Sequence, residues 1–275
     1  GVSIPASFIY SQNGLVQVSP SSLNPDYTLK ANKTPQDHTS AYRVIANDKK
    51  QGPALAQYLL RKGVKTVAIV DDATWYGRTQ ADQFEQTIKA GGWTVVFRSA
   101  ARDTTTNFHP ILSEIKKLHP DYIFWGGMGD RAAILAQQSR GLGIRSQLLA
   151  SDGSCTQQFM ELSGEASRGT LCSTSGISLS AMKQGKKFKA HYEKTFPGQK
   201  IQLYSPYAYD AVMAIVQAMK IANSVDREAI AAAMPQVSLD GITGPIAFDA
   251  YGDLKNGAVS IFKIKDKIKL VDVIH

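Results

Sequence analysis

An α/β architecture with parallel sheets flanked by helices is predicted by three observations. From about Lys65 short apolar runs recur at regular intervals, longer stretches with apolar residues at helical spacing lie between them, and each run suits a strand buried on both faces. Such βαβαβαβ alternation specifies parallel strands joined by right-handed crossovers.

Taken in chain order, Phe8 to Val18 reads as a short helix-like segment followed by LVQV. The block that follows Lys65 holds strands at Val67–Val70, Trp93–Phe97, Tyr122–Trp125 and Leu148–Ala150. Its helices are Thr79–Ala90, with Phe84 and Ile88 one turn apart; Ile111–Leu118, with Ile111, Ile115 and Leu118 on one face; and Arg131–Arg140, rich in Ala and Leu. Further on, Tyr207–Ala222 is a strong helix with Val212, Ile215, Val216 and Met219 facing inward, and Arg227–Ala233 is another. GPIAFD and the stretch IFKIKDKIKL, Ile261 to Leu270, close the chain. In the latter, lysines alternate with apolar residues, the pattern of a half-exposed hairpin with edge-protecting lysines. The pieces outside the central block do not complete a sheet by themselves, so a second α/β lobe assembled from both ends of the chain is the simplest arrangement. No internal repeat or low-complexity stretch is present.

The 275 residues, 43% of them hydrophobic, suffice for two modest domains or one large one. No run reaches the roughly eighteen apolar residues of a membrane span. The opening GVSIPASFIY lacks the basic-then-apolar profile of a signal peptide, so the sequence reads as a mature or truncated form. A formal charge of +8 raises the question of a polyanion partner, but the basic residues are scattered. The densest cluster, KQGKKFK at Lys183–Lys189, carries no interleaved aromatic platform and reads as a solvated face, so no nucleic-acid partner is expected. The two cysteines, Cys155 and Cys172, form no CxxC pair and stand at no metal-ligand spacing with histidine. A disulfide, which suits an exported protein, and a pair of buried thiols are both compatible with them. GxxxxGK, HExxH and GxSxG are absent, and GGMGD lacks the third glycine of a dinucleotide loop, so no enzyme activity, metal or cofactor is expected.

One position stands out. LLASDGSC, Leu148 to Cys155, carries a carboxylate just past a short buried strand, where ligands sit in open α/β sheets, with a glycine that lets the backbone turn. Asp152 is therefore a ligand-binding candidate. It is equally the residue type that forms a turn or caps a helix before Thr156 and Phe159.

Several stretches together resemble the branched-chain amino-acid binding proteins of ABC transporters, the type I periplasmic binding proteins. They are VSPSSLNP (Val18–Pro25), QGPALAQYLL (Gln51–Leu60), DDATWYG (Asp71–Gly77), FWGG (Phe124–Gly127), SDGSCT (Ser151–Thr156), YSPYAYDAV (Tyr204–Val212) and GPIAFDAYGD (Gly244–Asp253). No single one is decisive, but all occur in order across nearly the whole chain. The resemblance implies two α/β lobes joined by crossovers, residues 1–47 with 176–248 and residues 48–175 with 249–275, that capture an amino acid between them. Such a ligand needs an acid for its ammonium, hydroxyl or backbone N–H donors for its carboxylate, and an apolar or aromatic wall.

By the resemblance Asp152 answers the ammonium, and Ser21 and Ser22 contact the carboxylate. Tyr76 closes over the ligand, and Tyr204 walls the side-chain pocket. Met128 stands where an aromatic is often found and softens the pocket. Leu23 replaces a common threonine, removing a donor and adding bulk. Core or hinge packing is the competing role for Tyr76, Met128 and Tyr204, and turn formation before Pro25 the competing role for the serines.

The resemblance also aligns Gly1 just after a donor serine of the family, so the first lobe is expected to be incomplete. Uncovered sheet edges and helix faces would then favour a homodimer, a strand swap or repacking. Two readings follow. One is a periplasmic solute-binding protein that delivers a small aliphatic amino acid to the membrane subunits of an ABC permease. The other is a truncated homologue that acts as an oligomeric or interaction protein. A cytoplasmic ligand sensor of the same fold is a third, and it requires free thiols at Cys155 and Cys172.

Overall fold

The computed structural model describes residues 2–31, 40–63 and 65–274. The chain forms two compact units, Gly1–Asn47 with Ser175–Ala258, and Asp48–Thr174 with Val259–Ile274.

In the first unit the chain runs through α1 (Ser3–Gln12), β1 (Gln17–Ser19), α2 (Asp26–Ala31) and β2 (Ala41–Arg43). The second unit then contributes α3 (Asp48–Leu60), β3 (Thr66–Asp71), α4 (Trp75–Ala90), β4 (Thr94–Ala100), α5 (His109–Leu118), β5 (Tyr122–Gly126), α6 (Gly129–Gly141), β6 (Gln147–Ala150), α7 (Gln157–Ser163) and β7 (Leu171–Ser175). The first unit resumes with α8 (Gly185–Thr195), α9 (Ser205–Ala222), α10 (Arg227–Ala233), β8 (Ser238–Asp240) and β9 (Pro245–Ala247). Finally β10 (Val259–Ile264) and β11 (Ile268–Ile274) return to the second.

The second unit is organised by a seven-stranded sheet of order β11-β10-β7-β6-β5-β3-β4. The predicted strands form its parallel part, β3 pairing with β4 and β5, and β5 with β6. Burial on both faces explains the uninterrupted apolar runs of β3, β5 and β6, whereas β4, expected to be buried in the same way, is the edge strand and is only half-buried. On one face Val70, Ile123 and Trp125 pack with Phe108, Leu112 and Ala132, and Phe84 of α4 stacks on Phe124 of β5 at 4.2 Å. Helix α5 begins at His109 and turns Leu112 and Ile115 inward, leaving the expected Leu118 45% exposed. The closing hairpin is half right as read from sequence. β11 is an edge strand with exposed Lys269, and exposed Lys267 lies in the turn before it, whereas β10 is interior, with Ile261 and Ile264 fully buried.

In the first unit β1 and β2 pair in parallel, Gln17 opposite Ala41 and Ser19 opposite Arg43, and α9 packs against them. The phase of α9 differs from that expected. Its buried face is Tyr207, Asp210, Ala211, Ala214 and Ala218; of the residues expected inward, Ile215 and Met219 pack partly buried against the core, while Val212 is 60% exposed. Two polar grips set this phase. Asp210 accepts from Ile242 N at 2.9 Å, Thr243 N at 2.8 Å and Thr243 Oγ1 at 2.6 Å. The Tyr207 hydroxyl accepts from Ile177 N at 2.6 Å and donates to Ile177 O at 3.1 Å. Buried hydrogen-bonding groups that must be satisfied outweigh the gain from turning one valine inward.

The segment 249–258 packs with the first unit and not, as expected from sequence, with the second. The cause is Arg43, whose side chain is fully buried and ion-paired to Asp253 at 2.6 Å. Its guanidinium also donates to Ser22 O (2.6 Å), Asn24 O (3.0 Å) and Thr28 Oγ1 (2.8 Å), and Asn47 Nδ2 donates to Asp253 Oδ2 at 2.8 Å. One buried cation thus ties β2, the 22–28 segment and the 249–253 turn together. Replacing Arg43 by Met strands Asp253 and three acceptors, a loss of about 3 kcal/mol. Urea unfolding of Arg43→Met should show a correspondingly lower midpoint, with Asp253→Asn recovering part of the loss.

Candidate functional site

The carboxyl ends of β3, β5 and β6 converge because neighbouring parallel strands in register end together. Asp72 N donates to Gly126 O at 2.9 Å, joining the ends of β3 and β5. After β3 the chain turns sharply through Asp71–Thr74. Asp71 Oδ1 accepts from Ala73 N (2.8 Å), and Asp72 Oδ1 accepts from Thr74 N (3.0 Å) and Thr74 Oγ1 (2.5 Å). These bonds hold Ala73 at φ +61°, a left-handed conformation that a side chain disfavours. Thr74 then caps α4 by accepting from Gly77 N at 3.0 Å. A Cβ on Gly77 would lie 2.2 Å from Asp72 Oδ1 and 2.4 Å from Gly126 O, so only glycine lets α4 sit this close to the end of β5. Arg98 secures the other side, paired with Asp71, with Asp82 at 2.9 Å and with Glu85 at 3.2 Å.

This turn delivers Tyr76, in the first turn of α4, to Asp152. The Tyr76 hydroxyl donates to Asp152 Oδ1 in a short hydrogen bond, and Ser151 Oγ lies 2.8 Å from the same hydroxyl. Gly153 N donates to Asp152 Oδ1 at 2.9 Å and reaches the Tyr76 oxygen at 3.0 Å. Gln51, from α3, is fully buried, and its Nε2 donates to Ser173 O of β7 at 3.3 Å. Burial pushes the Asp152 carboxyl above the ordinary aspartate value, with the Tyr76 and Gly153 bonds pulling the other way. Burial, and secondarily the Asp152 charge, raises the Tyr76 phenol well above its usual value, so it stays a donor. Among the described residues no Lys, Arg or His stands against Asp152. Its hydrogen-bond partners among the described residues, Tyr76 and Gly153 N, are neutral.

The alternative role of Asp152 as a helix cap falls to another residue. Thr156 caps α7, accepting from Phe159 N at 3.1 Å, while Asp152 opens a 3₁₀ turn over Asp152–Ser154. Cys155 and Cys172 form a disulfide that fastens this turn to β7, and the free thiols that a cytoplasmic sensor would need are absent from the pair. Met128, 52% exposed, borders the same place, its Sδ 3.0 Å from where a Cβ of Gly153 would be. The Trp125 indole donates to Met128 O at 3.2 Å and fixes the β5–α6 turn.

Tyr76, Met128 and Asp152 are thus gathered at one edge of the second unit. Ser21, Ser22, Leu23 and Tyr204 belong to the first. There Ser19 forms the turn, its Oγ accepting from Ser22 N (2.9 Å) and Ser21 N (3.3 Å). Ser22 Oγ accepts from Ser19 Oγ and donates to Ser3 Oγ, each at 2.7 Å, while Ser21 is exposed. Leu23 and Tyr204 both pack against the core of their unit, Tyr204 edge-on to Tyr207 at 6.5 Å. Ser151, at the Tyr76 hydroxyl, and Gln51, bonded to β7, have no role in the sequence reading. Ser151 adjoins the aspartate in SDGSC, and Gln51, a polar residue on the buried face of α3, is the signal that was there to find.

A family model described as periplasmic binding protein matches residues 6–268. The chain belongs to that periplasmic binding protein family. A Leu/Ile/Val-binding protein homologue of Brucella abortus is 27% identical over 266 residues, 96% of this chain and 69% of that protein. A leucine-, isoleucine-, valine-, threonine- and alanine-binding protein of Pseudomonas aeruginosa is 26% identical over 262 residues, 94% of this chain and 68% of its own length. The crystal structure of a leucine binding protein from Thermotoga maritima superimposes with a TM-score of 0.83 at 28% identity, covering 99% of this chain and 76% of that one. The periplasmic binding protein fold accounts for the mainly parallel sheet flanked by helices. None of these three is described as an oligomeric or interaction protein, and none as an enzyme, so the second reading of the sequence gains no support from them.

In this family member the disulfide spans 17 residues and holds the Asp152 turn. Reduction is expected to lower stability by about 3 kcal/mol. Thermal unfolding with and without a reductant should show the drop, and Cys155→Ser with Cys172→Ser should reproduce it in the absence of reductant.

Proposed function

We propose that this protein captures a small aliphatic, branched-chain amino acid and delivers it to the membrane subunits of an ABC permease, working in the periplasm. The observation that carries this reading is Asp152, a carboxylate set among neutral donors at the end of β6 with no cation against it among the described residues. An enclosed carboxylate gains most from a positive charge that arrives with the ligand. The ammonium of an amino acid is such a charge. Met128 beside it offers the adaptable apolar surface an aliphatic side chain uses.

The remaining assignments follow the same chemistry. Tyr76 orients the carboxylate and covers the ammonium. From the first unit, Ser21 and Ser22 serve the ligand's carboxylate, and Leu23 and Tyr204 its side chain. The names of the relatives support the branched-chain class, and a disulfide suits the oxidising periplasm.

Calorimetric titration with leucine, isoleucine and valine should give saturable heat. Asp152→Ala should weaken binding by about a hundredfold, since the ammonium loses its counter-charge. Unchanged affinity in Asp152→Ala would remove the ammonium contact from this scheme.

Affinity should also depend on pH. Because burial raises the Asp152 carboxyl, the free protein holds a proton there at pH values where an ordinary aspartate has lost it, and the ammonium must displace that proton. Binding is therefore strongest above the raised value and weakens as pH falls through it, with proton release on binding in the same window. Titrations in buffers of different ionisation enthalpy measure that release.

A further inference from the structure

Ser151, the residue that follows β6, is polar and only 1% exposed. Leu149 and Ala150 before it are fully buried, so a further small apolar side chain would fill the place with no polar atom to satisfy. The Ser151 hydroxyl instead meets the Tyr76 oxygen at 2.8 Å. Two other groups stand at that oxygen, Asp152 Oδ1 and Gly153 N, the latter at 3.0 Å. A phenol has one proton to donate, an ionised carboxylate can only accept, and a backbone N–H can only donate. With Asp152 ionised, the Tyr76 proton therefore lies on Oδ1, Gly153 N donates, and Ser151 Oγ is left to donate to Tyr76. The bonds run in order from Ser151 to Tyr76 to Asp152. When the carboxyl carries a proton the same oxygens bond in the reverse order, which a hydroxyl accommodates by rotating.

We propose that Ser151 is a positioning residue, whose hydroxyl fixes the Tyr76 hydroxyl so that its proton is held on the Asp152 carboxylate. The proposal rests on the reading of Asp152 as the ammonium contact. Without Ser151 Oγ the phenol oxygen keeps only Gly153 N, which it shares with Asp152 Oδ1 at 2.9 Å, and the hydroxyl turns more freely about its C–O bond. A donor to a hydroxyl oxygen also polarises that hydroxyl and strengthens the bond it gives. Ser151 thus acts on the carboxylate through Tyr76, which approaches from α4. Its backbone has a separate task, since Ser151 O accepts from Ser154 N at 3.0 Å and closes the 3₁₀ turn that carries Asp152. One residue therefore sets both the turn that presents the carboxylate and the tyrosine that meets it. Burial raises the Tyr76 phenol and the Ser151 bond pulls it the other way, as a donor to the phenol oxygen does.

The test is Ser151→Ala, which removes one oxygen and adds no bulk. In ligand-free protein carrying isotope-labelled tyrosine Cζ, the Tyr76 NMR resonance, identified by its loss in Tyr76→Phe, should shift in Ser151→Ala, because that carbon senses the bonds made at the phenol oxygen. An unmoved resonance overturns the proposal. Leucine affinity measured by calorimetry should fall roughly fivefold in Ser151→Ala. In a Tyr76→Phe background the same substitution should cost nothing further, since the oxygen on which Ser151 acts is gone. Equal losses in the two backgrounds would mean that Ser151 acts by packing, and they overturn the proposal, as does an unchanged affinity in Ser151→Ala alone. Absence of leucine binding in the native chain would defeat the proposed function, while the Tyr76 resonance still decides whether Ser151 holds the hydroxyl.

Discussion

A half-buried carboxylate with no cation against it among the described residues is the constraint around which the second unit is arranged. Asp152 cannot remain ionised in such a place unless donors converge on it, and donors converge only if several backbone segments end within a few ångströms of one another. The parallel sheet supplies that convergence. β3, β5 and β6 finish at a common edge, and their continuations each bring one element of the site: the turn that starts α4, the turn that starts α6 and the 3₁₀ turn carrying Asp152. The close contacts between these turns leave no room for a side chain at Gly77. A helix is therefore held by its first residues against the end of a neighbouring strand, and Tyr76 inherits its position from that contact.

Cost accompanies the arrangement. Ala73 is held in a left-handed conformation and Asp71 and Asp72 are buried. Both carboxylates are satisfied locally, Asp72 by the turn it stabilises and Asp71 by Arg98, which also reaches Asp82 and Glu85. Strain at the β3–α4 turn is thus sustained by bonds that a more relaxed turn would not make, as expected where a loop has to present a side chain in one orientation. The disulfide has a parallel effect on the opposite side of Asp152, closing the turn onto the buried Cys172 of β7.

The alternation that makes the second unit was legible because strands buried on both faces are unbroken apolar runs and the helices between them have a clear apolar face. Asp152 was legible for the same reason, its place after Leu148–Ala150 following from the strand. What sequence did not reveal depends on contacts distant along the chain. Val212 looks like a core residue by spacing, yet Asp210 and Tyr207 rotate α9 to satisfy the 242–243 turn and Ile177. The 249–258 segment looks like a lead-in to the final hairpin, yet Asp253 is captured by Arg43 more than two hundred residues earlier. The role of Gln51 is invisible for a similar reason, because its partner, the Ser173 carbonyl, lies 122 residues on. Periodicity reports which face of an element is apolar, and it carries no information about which buried polar group another will meet.

The two units handle buried charge in opposite ways, and this bears on the serines of the first. There the buried charge is a cation, Arg43, and it consumes acceptors: the carbonyls of Ser22 and Asn24, the Thr28 hydroxyl and the Asp253 carboxylate. Holding those carbonyls inward fixes the 19–24 turn with its side chains directed by Ser19, whose hydroxyl takes the N–H groups of Ser21 and Ser22. Ser22 is then engaged at both ends of its hydroxyl, by Ser19 and Ser3, and Leu23 is drawn into the core beside Tyr204. Ser21 is the exposed residue of the three. If this turn serves an amino acid's carboxylate, its readiest donor is the Ser21 hydroxyl, because Ser22 must first give up a bond that the turn itself requires. The leucine at position 23 is consistent with this division: its side chain, partly buried, packs against the core of the first unit and brings no hydroxyl to the turn.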